Sequence, residues 1–222
     1  RSWVRWMDDM WLFGTDVSAM RRAQIDLQSA ASSIGLHLNS AKTEVYEGSD
    51  VVTHAINIEH SAVDGALEAT SKDRKRLEEM IDGILLDPEK ANRTTVKFAV
   101  NRMLKHKVRY RQREMVAAAP RMPHCADALA WLFAHRFKQA ALADWFVAQT
   151  ASDWLQFEWS TSFYIRMLDS GAKPRREVLD FAARQVESGN GSVQLLAACA
   201  QRLTAWDRTL ARASIRAGMT RA

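Results

Sequence analysis

Val4-Arg5-Trp6-Met7-Asp8-Asp9-Met10-Trp11-Leu12-Phe13-Gly14 decides how the start of this chain is read. Trp3 to Met7 and Met10 to Phe13 are aromatic and β-branched runs of strand length, and Asp8-Asp9 interrupts them as a two-residue break. That pattern predicts a tight β-hairpin with both carboxylates at its tip. Adjacent like charges repel and gain nothing in a core, so the pair calls for a counter-ion. A hard divalent cation such as Mg²⁺, which takes one or two carboxylates and fills its shell with water and phosphate, satisfies them. Asp-Asp is also a good turn dipeptide, and taken alone that reading is the commoner one.

Downstream, Val17, Met20, Leu27, Ala31 and Ile34 recur at three- and four-residue spacing behind the capping candidates Thr15 and Asp16. A helix of about five turns follows, with Gly35 as its left-handed stop. Leu36-His37-Leu38 alternates, and Lys42-Thr43-Glu44-Val45-Tyr46 predicts a further strand. Residues 49–70 mix Gly, Ser, Asp and His without a clear period and are read as a connector.

From Ser71 onward the pattern is helical. Leu77, Ile81, Ile84 and Leu85 define one segment, and Val96, Val100, Met103 and Leu104 another, with Pro88 between them. Further helices are predicted at about 124–137, 139–149, 153–169, 174–188, 192–205 and 207–217, broken by Pro120, Pro123, Gly171, Pro174, Gly189 and Gly191. Short connections suit antiparallel helix pairs stacked as a repeat-like array of the HEAT type, although no sequence repeat is evident. The fold class expected is α+β, mostly α.

The 222 residues are 47% hydrophobic and 26% charged, which excludes disorder throughout. No apolar run reaches the roughly 18–20 residues that span a bilayer, and no signal peptide opens the chain, so a cytoplasmic location and no membrane partner are expected. Cys125 and Cys199 stand alone and read as buried reduced thiols. Most of the eight Trp fall inside apolar helical patterns and read as core. Net charge is +5, and it is concentrated. Lys90, Arg93, Lys97, Arg102, Lys105, Lys107, Arg109, Arg111 and Arg113 follow one another without an Asp or Glu. Lys97, Arg102, Lys105, Lys107, Arg109, Arg111 and Arg113 are the candidate phosphate contacts, with a solvated basic face as the bland alternative. Tyr110 among them is a candidate for stacking on a base.

Trp6-Met7-Asp8-Asp9, with its flanking strands and Gly14, resembles the aromatic-x-Asp-Asp motif of reverse transcriptases. Gly35-Leu36-His37-Leu38-Asn39, leading to Lys42-Thr43, is similar to the next palm motif of group II intron-like bacterial members. Ala118 to His124 and the helix ending at Trp206-Asp207 resemble the helical extension of the unknown-group, abortive-infection-like members associated with phage defence. The specific motifs lie within the first 43 residues. By resemblance, Asp8 is the principal ligand of Mg²⁺ or Mn²⁺, Asp9 its companion, and Lys42 a proton donor to pyrophosphate. The implied division is a palm portion at 1–48, a connector at 49–70, a basic thumb-like region at 71–119 and a repeat-like extension at 120–222.

The implied activity is RNA-directed DNA synthesis from template-primer and dNTPs. Trp6 departs from the usual Tyr or Phe; it either tunes nucleotide selection or packs beneath the hairpin. The family takes another metal-binding Asp from an earlier palm strand, so this chain by itself is expected to be inactive without the remaining palm and fingers. Two other readings stay open: a helical module that binds nucleic acid or protein without polymerising, and metal-independent or template-independent nucleotide polymerisation.

Overall fold

The computed structural model describes residues 2–6, 9–36, 45–69, 73–151, 157–169, 171 and 174–220, with the backbone alone for 2–6 and 9. The described residues are mostly α, with one small antiparallel sheet. They form two compact units, Arg1–Glu59 and His60–Ala222.

In the first unit, β1 (Ser2–Trp6) pairs antiparallel with β2 (Asp9–Phe13), in the register Ser2↔Phe13 to Trp6↔Asp9. The hairpin is as predicted, but its break is displaced: Asp9 is the first residue of β2 and stands opposite Trp6. Strand pairing fixes the break by register, which charge alone cannot show. Helix α1 (Val17–Ser33) starts where Asp16 accepts hydrogen bonds from the Ser18 and Ala19 amides, each at 3.1 Å, and stops before Gly35 at φ +75°. Val45 and Tyr46 are not strand, and residues 37–44 lie outside the described residues.

The expected connector is a helix. Helix α2 runs over Ser49–Glu68 and carries Val63 and Leu67 in the core. Its inward stripe in the second unit is His60, Val63 and Leu67. A histidine occupies one of the apolar slots and stacks on Phe98, with ring centroids 3.9 Å apart and 4° between planes. That substitution hides the period from a reading that counts apolar residues. The boundary between the two units falls inside α2, and residues 71–119 share one unit with 120–222.

The second unit continues with α3 (Lys75–Leu86), a 3-10 turn at Pro88–Lys90, α4 (Arg93–Lys105), α5 (Gln112–Ala118), α6 (Ala126–Arg136), α7 (Gln139–Thr150), α8 (Glu158–Met167), α9 (Arg176–Ser188), α10 (Val193–Trp206) and α11 (Arg208–Met219). Helix α6 packs on α4 and on α8, α8 on α10, and α9 on both α7 and α11. From α6 onward each helix therefore meets the one two places along. That pairing is a two-layer stack of helix pairs, with α4, α6, α8 and α10 in one layer and α7, α9 and α11 in the other.

Helices α4, α6, α8 and α10 begin at residues 93, 126, 158 and 193, so a period of 32 to 35 residues exists in the structure. Side-chain bonds follow it closely, reaching back 33 to 37 residues. Arg136 Nη2 donates to the Met103 carbonyl at 2.6 Å, Ser160 Oγ to that of Pro123 at 3.0 Å, and Arg202 to that of Arg166. The core of the stack includes Leu77, Ile81, Val100, Met103, Leu129, Phe133, Tyr164, Ile165, Leu195 and Leu203.

The five tryptophans whose side chains are described are not core residues of the kind expected. Trp131 is 55% exposed, and Trp11, Trp145, Trp159 and Trp206 are half-buried. An indole carries an N–H that needs a partner, so these rings lie at the edge of the core, as where Trp206 Nε1 donates to the Asp169 carbonyl at 2.8 Å. Cys125 and Cys199 are buried free thiols, as expected. No helix among the described residues is long and apolar enough to cross a membrane.

Candidate nucleic-acid interface and the carboxylate hairpin

Of the three candidate catalytic residues, Asp8 and Lys42 lie outside the described residues. Asp9 is placed by its backbone at the start of β2. Among the described residues, no group of three or more His, Cys, Asp or Glu is arranged to hold a metal ion. The ring of His54 lies between Tyr46 and Trp11, with centroids 4.1 Å and 5.1 Å away, beside a hollow of about 250 Å³ lined by Tyr46, Asp50, Thr53, His54 and Asn57.

The basic stretch is not one helix. Asn92 caps the start of α4 by accepting from the Thr94 and Thr95 amides. The helix ends at Lys105, where Lys107 turns left-handed at φ +55°. The Val108 amide then donates to the Met103 carbonyl at 2.9 Å and the Lys107 amide to that of Leu104 at 3.3 Å. This is a Schellman closure with lysine where glycine is usual. Val108 is buried behind it. A second left-handed residue, Arg111 at φ +43°, precedes α5.

Three of the seven candidate phosphate contacts hold carboxylates of this same chain. Arg102 grips Asp64 through Nε and through Nη2 at 2.6 Å from Oδ2, and its guanidinium lies 4.5 Å from the centre of the Phe98 ring. One turn on, Lys105 Nζ stands 3.4 Å from Glu68. Arg111 Nη1 donates to Asp82 at 2.6 Å, and the Tyr110 hydroxyl donates to the same carboxylate at 3.1 Å. Tyr110 is thereby engaged rather than free to stack. The Arg102 hydrogen bond holds the Asp64 carboxyl below its ordinary value against the opposing effect of burial. The Arg111 hydrogen bond does the same for Asp82.

The remaining four, Lys97, Lys107, Arg109 and Arg113, are exposed and form no ion pair among the described residues. The acids missing from the linear stretch arrive from α2 and α3. Their signal was present in the sequence: Asp64 and Glu68 are one turn apart, as Arg102 and Lys105 are, so two helices can zip them together. Comparison with protein-family models, with curated proteins and with solved structures finds no match for this chain.

Proposed function

We propose that this chain is part of a reverse transcriptase that carries out two-metal-ion, template-directed nucleotidyl transfer, RNA-directed DNA synthesis, in defence against phage. The reading is carried by the hairpin whose register sets Trp6 opposite Asp9, followed directly by the capped helix α1. Strand, strand and helix follow there in the order expected around the palm motif that Trp6-Met7-Asp8-Asp9 resembles.

Asp8 and Asp9 supply the hard oxygen donors suited to Mg²⁺ or Mn²⁺. The ion, when bound, offsets negative charge that develops on the transferred phosphoryl group. In this reading Lys42 holds a proton for the departing pyrophosphate, and dNTPs and a template-primer are the partners. The remaining palm and fingers supply the further carboxylate that the resemblance requires.

The test is Asp8→Ala in a protein that includes those parts. Mg²⁺-dependent nucleotide incorporation is expected to vanish while the circular dichroism spectrum stays unchanged. Incorporation at the unaltered rate would remove Asp8 from the site and end the reading.

A second reading, a helical nucleic-acid-binding module, is favoured by the four cations Lys97, Lys107, Arg109 and Arg113, which are exposed and in no ion pair among the described residues. Their attraction for phosphate is independent of sequence and screened by salt. Template-primer binding by the chain without incorporation would support it.

A further inference from the structure

The layer formed by α4, α6, α8 and α10 carries aromatic rings and cations together on its solvent side. On α6, Asp127, Trp131 and His135 follow at four-residue spacing and share one face. Trp131 is 55% exposed, and its ring lies 4.1 Å from that of His135. At one end of this stripe, Asp127 accepts from Arg93 at 2.8 Å, and the Arg93 guanidinium lies 5.5 Å from the centre of the Trp159 ring on α8. Glu158, Trp159, Phe163 and Arg166 are the half-buried positions of α8, the last three one turn apart with buried residues between them, and Glu158 accepts from the Ser192 amide. Trp159 meets Phe163 edge to face at 4.8 Å.

Arg166 leads to α10, where Arg202 donates to its carbonyl. The Nε atoms of Arg166 and Arg202 are both buried without a hydrogen-bond partner among the described residues. Neither guanidinium is in an ion pair there, although the charge of Asp169 acts on Arg202, and Lys97 on α4, within reach of the Asp127 charge, adds a third cation. Those Nε atoms are out of a partner's reach; it is the half-buried remainder of the two side chains, close enough for their charges to act on each other, that suits a partner rich in acceptors. Asp127, the carboxylate on the α6 stripe, is already held by Arg93.

We propose that this face is a track for single-stranded nucleic acid, with bases stacked on Trp131 and Trp159 and phosphates met by Lys97, Arg166 and Arg202. A stacking surface with interleaved cations recognises this polymer because every base offers a π-face and every linkage a charge. Four helices spaced by about 8–10 Å make a strip roughly 25–30 Å across, room for several nucleotides. The track goes beyond the polymerase reading and does not rest on it. It is read by binding alone, with no nucleotide incorporated.

The experiment is fluorescence anisotropy of a labelled oligothymidylate of about 15 nucleotides, within the range of single-strand site sizes, on the purified chain. Trp131→Ala, an exposed position, is expected to weaken binding about tenfold, with Trp131→Phe restoring most of it. An abasic oligomer with the same number of phosphates, on the unaltered chain, is expected to lose affinity comparably, so the result does not depend on how a variant folds. Lys107→Ala/Arg109→Ala/Arg113→Ala is expected to leave the Trp131 dependence in place, which separates this track from the basic stretch. Equal affinity for the abasic and the complete oligomer, or Trp131→Ala binding as tightly as the unaltered chain, overturns the proposal. Equal competition by an acidic peptide containing aromatic residues would also overturn it and assign the face to protein.

Discussion

Arg102 on α4 and Asp64 on α2 meet through two hydrogen bonds across 38 residues of chain, and the pair sits only partly in water, with side chains 25% and 31% exposed. A forked guanidinium–carboxylate contact of this kind exceeds an ordinary surface ion pair because both donors are fixed by one planar group. Asp64→Asn keeps the shape and removes the charge. It is expected to cost about 1–2 kcal/mol in denaturant unfolding, more than an exposed pair gives and less than a dry one. An unchanged midpoint would show that the contact contributes nothing.

The same pair sets part of the acid sensitivity. The Asp64 carboxyl is lowered in the folded chain, so its stabilising effect is complete above its ordinary value of 3.8. It is lost as pH falls through the lower folded value. The unaltered chain should therefore lose more stability below pH 3.8 than Asp64→Asn does, and pH-dependent melting curves should converge at the acid end. Parallel curves would contradict the linkage.

At the other end of the stack, Gly218 is a position where only hydrogen fits. A Cβ there would run into the carbonyl oxygen of Val186 on the neighbouring α9. Ser214 of α11 also donates to Glu187 of α9 at 2.8 Å, so the two helices are held close along this seam. Gly218→Ala should force them apart and lower stability by about 1–3 kcal/mol, despite the better helix propensity of alanine. A stabilised variant would mean that the seam yields at no cost.

The basic stretch divides into cations that are engaged and cations that are not, and salt dependence can tell them apart. Lys107→Ala/Arg109→Ala/Arg113→Ala should reduce the slope of log affinity against log salt by about 2 to 3 for nucleic acid if all three contact phosphate, with melting unchanged. Arg111→Ala instead removes the hydrogen bond to Asp82 and should lower the melting temperature. A slope that the triple variant leaves intact returns these residues to an ordinary solvated face.

Both thiols should be inert in the folded chain. Burial pushes Cys125 up to about 11 and Cys199 up to about 12, so at pH 8 almost no thiolate exists to attack a reagent. Labelling by a thiol-specific reagent should be slow in buffer and complete in denaturant. Rapid native labelling of either cysteine would refute its burial.

The sequence by itself determined the local elements. Helices α3, α4 and α6 to α11 were legible because each buries a stripe at helical spacing between Pro, Gly or capping residues. Helix α1 was equally so, through Asp16 and Gly35. The hairpin was readable from its two apolar runs, but the position of its break was not, because strand pairing sets the register. Helix α2 was hidden because His60 stands in an apolar slot, a placement that makes sense only beside Phe98.

Tertiary structure decided which charges are spent between helices. The matched one-turn spacings of Asp64 and Glu68 and of Arg102 and Lys105 permit their pairing, and Arg111 has Glu114 three residues on, but which helix faces meet selects Asp64, Glu68 and Asp82 as partners. The 32- to 35-residue period likewise exists in helix positions and in bonds such as Arg136 to the Met103 carbonyl, not in recurring letters. Many apolar side chains fill a helix–helix seam equally well provided volume and spacing are kept, so a stack can repeat its geometry without repeating its sequence.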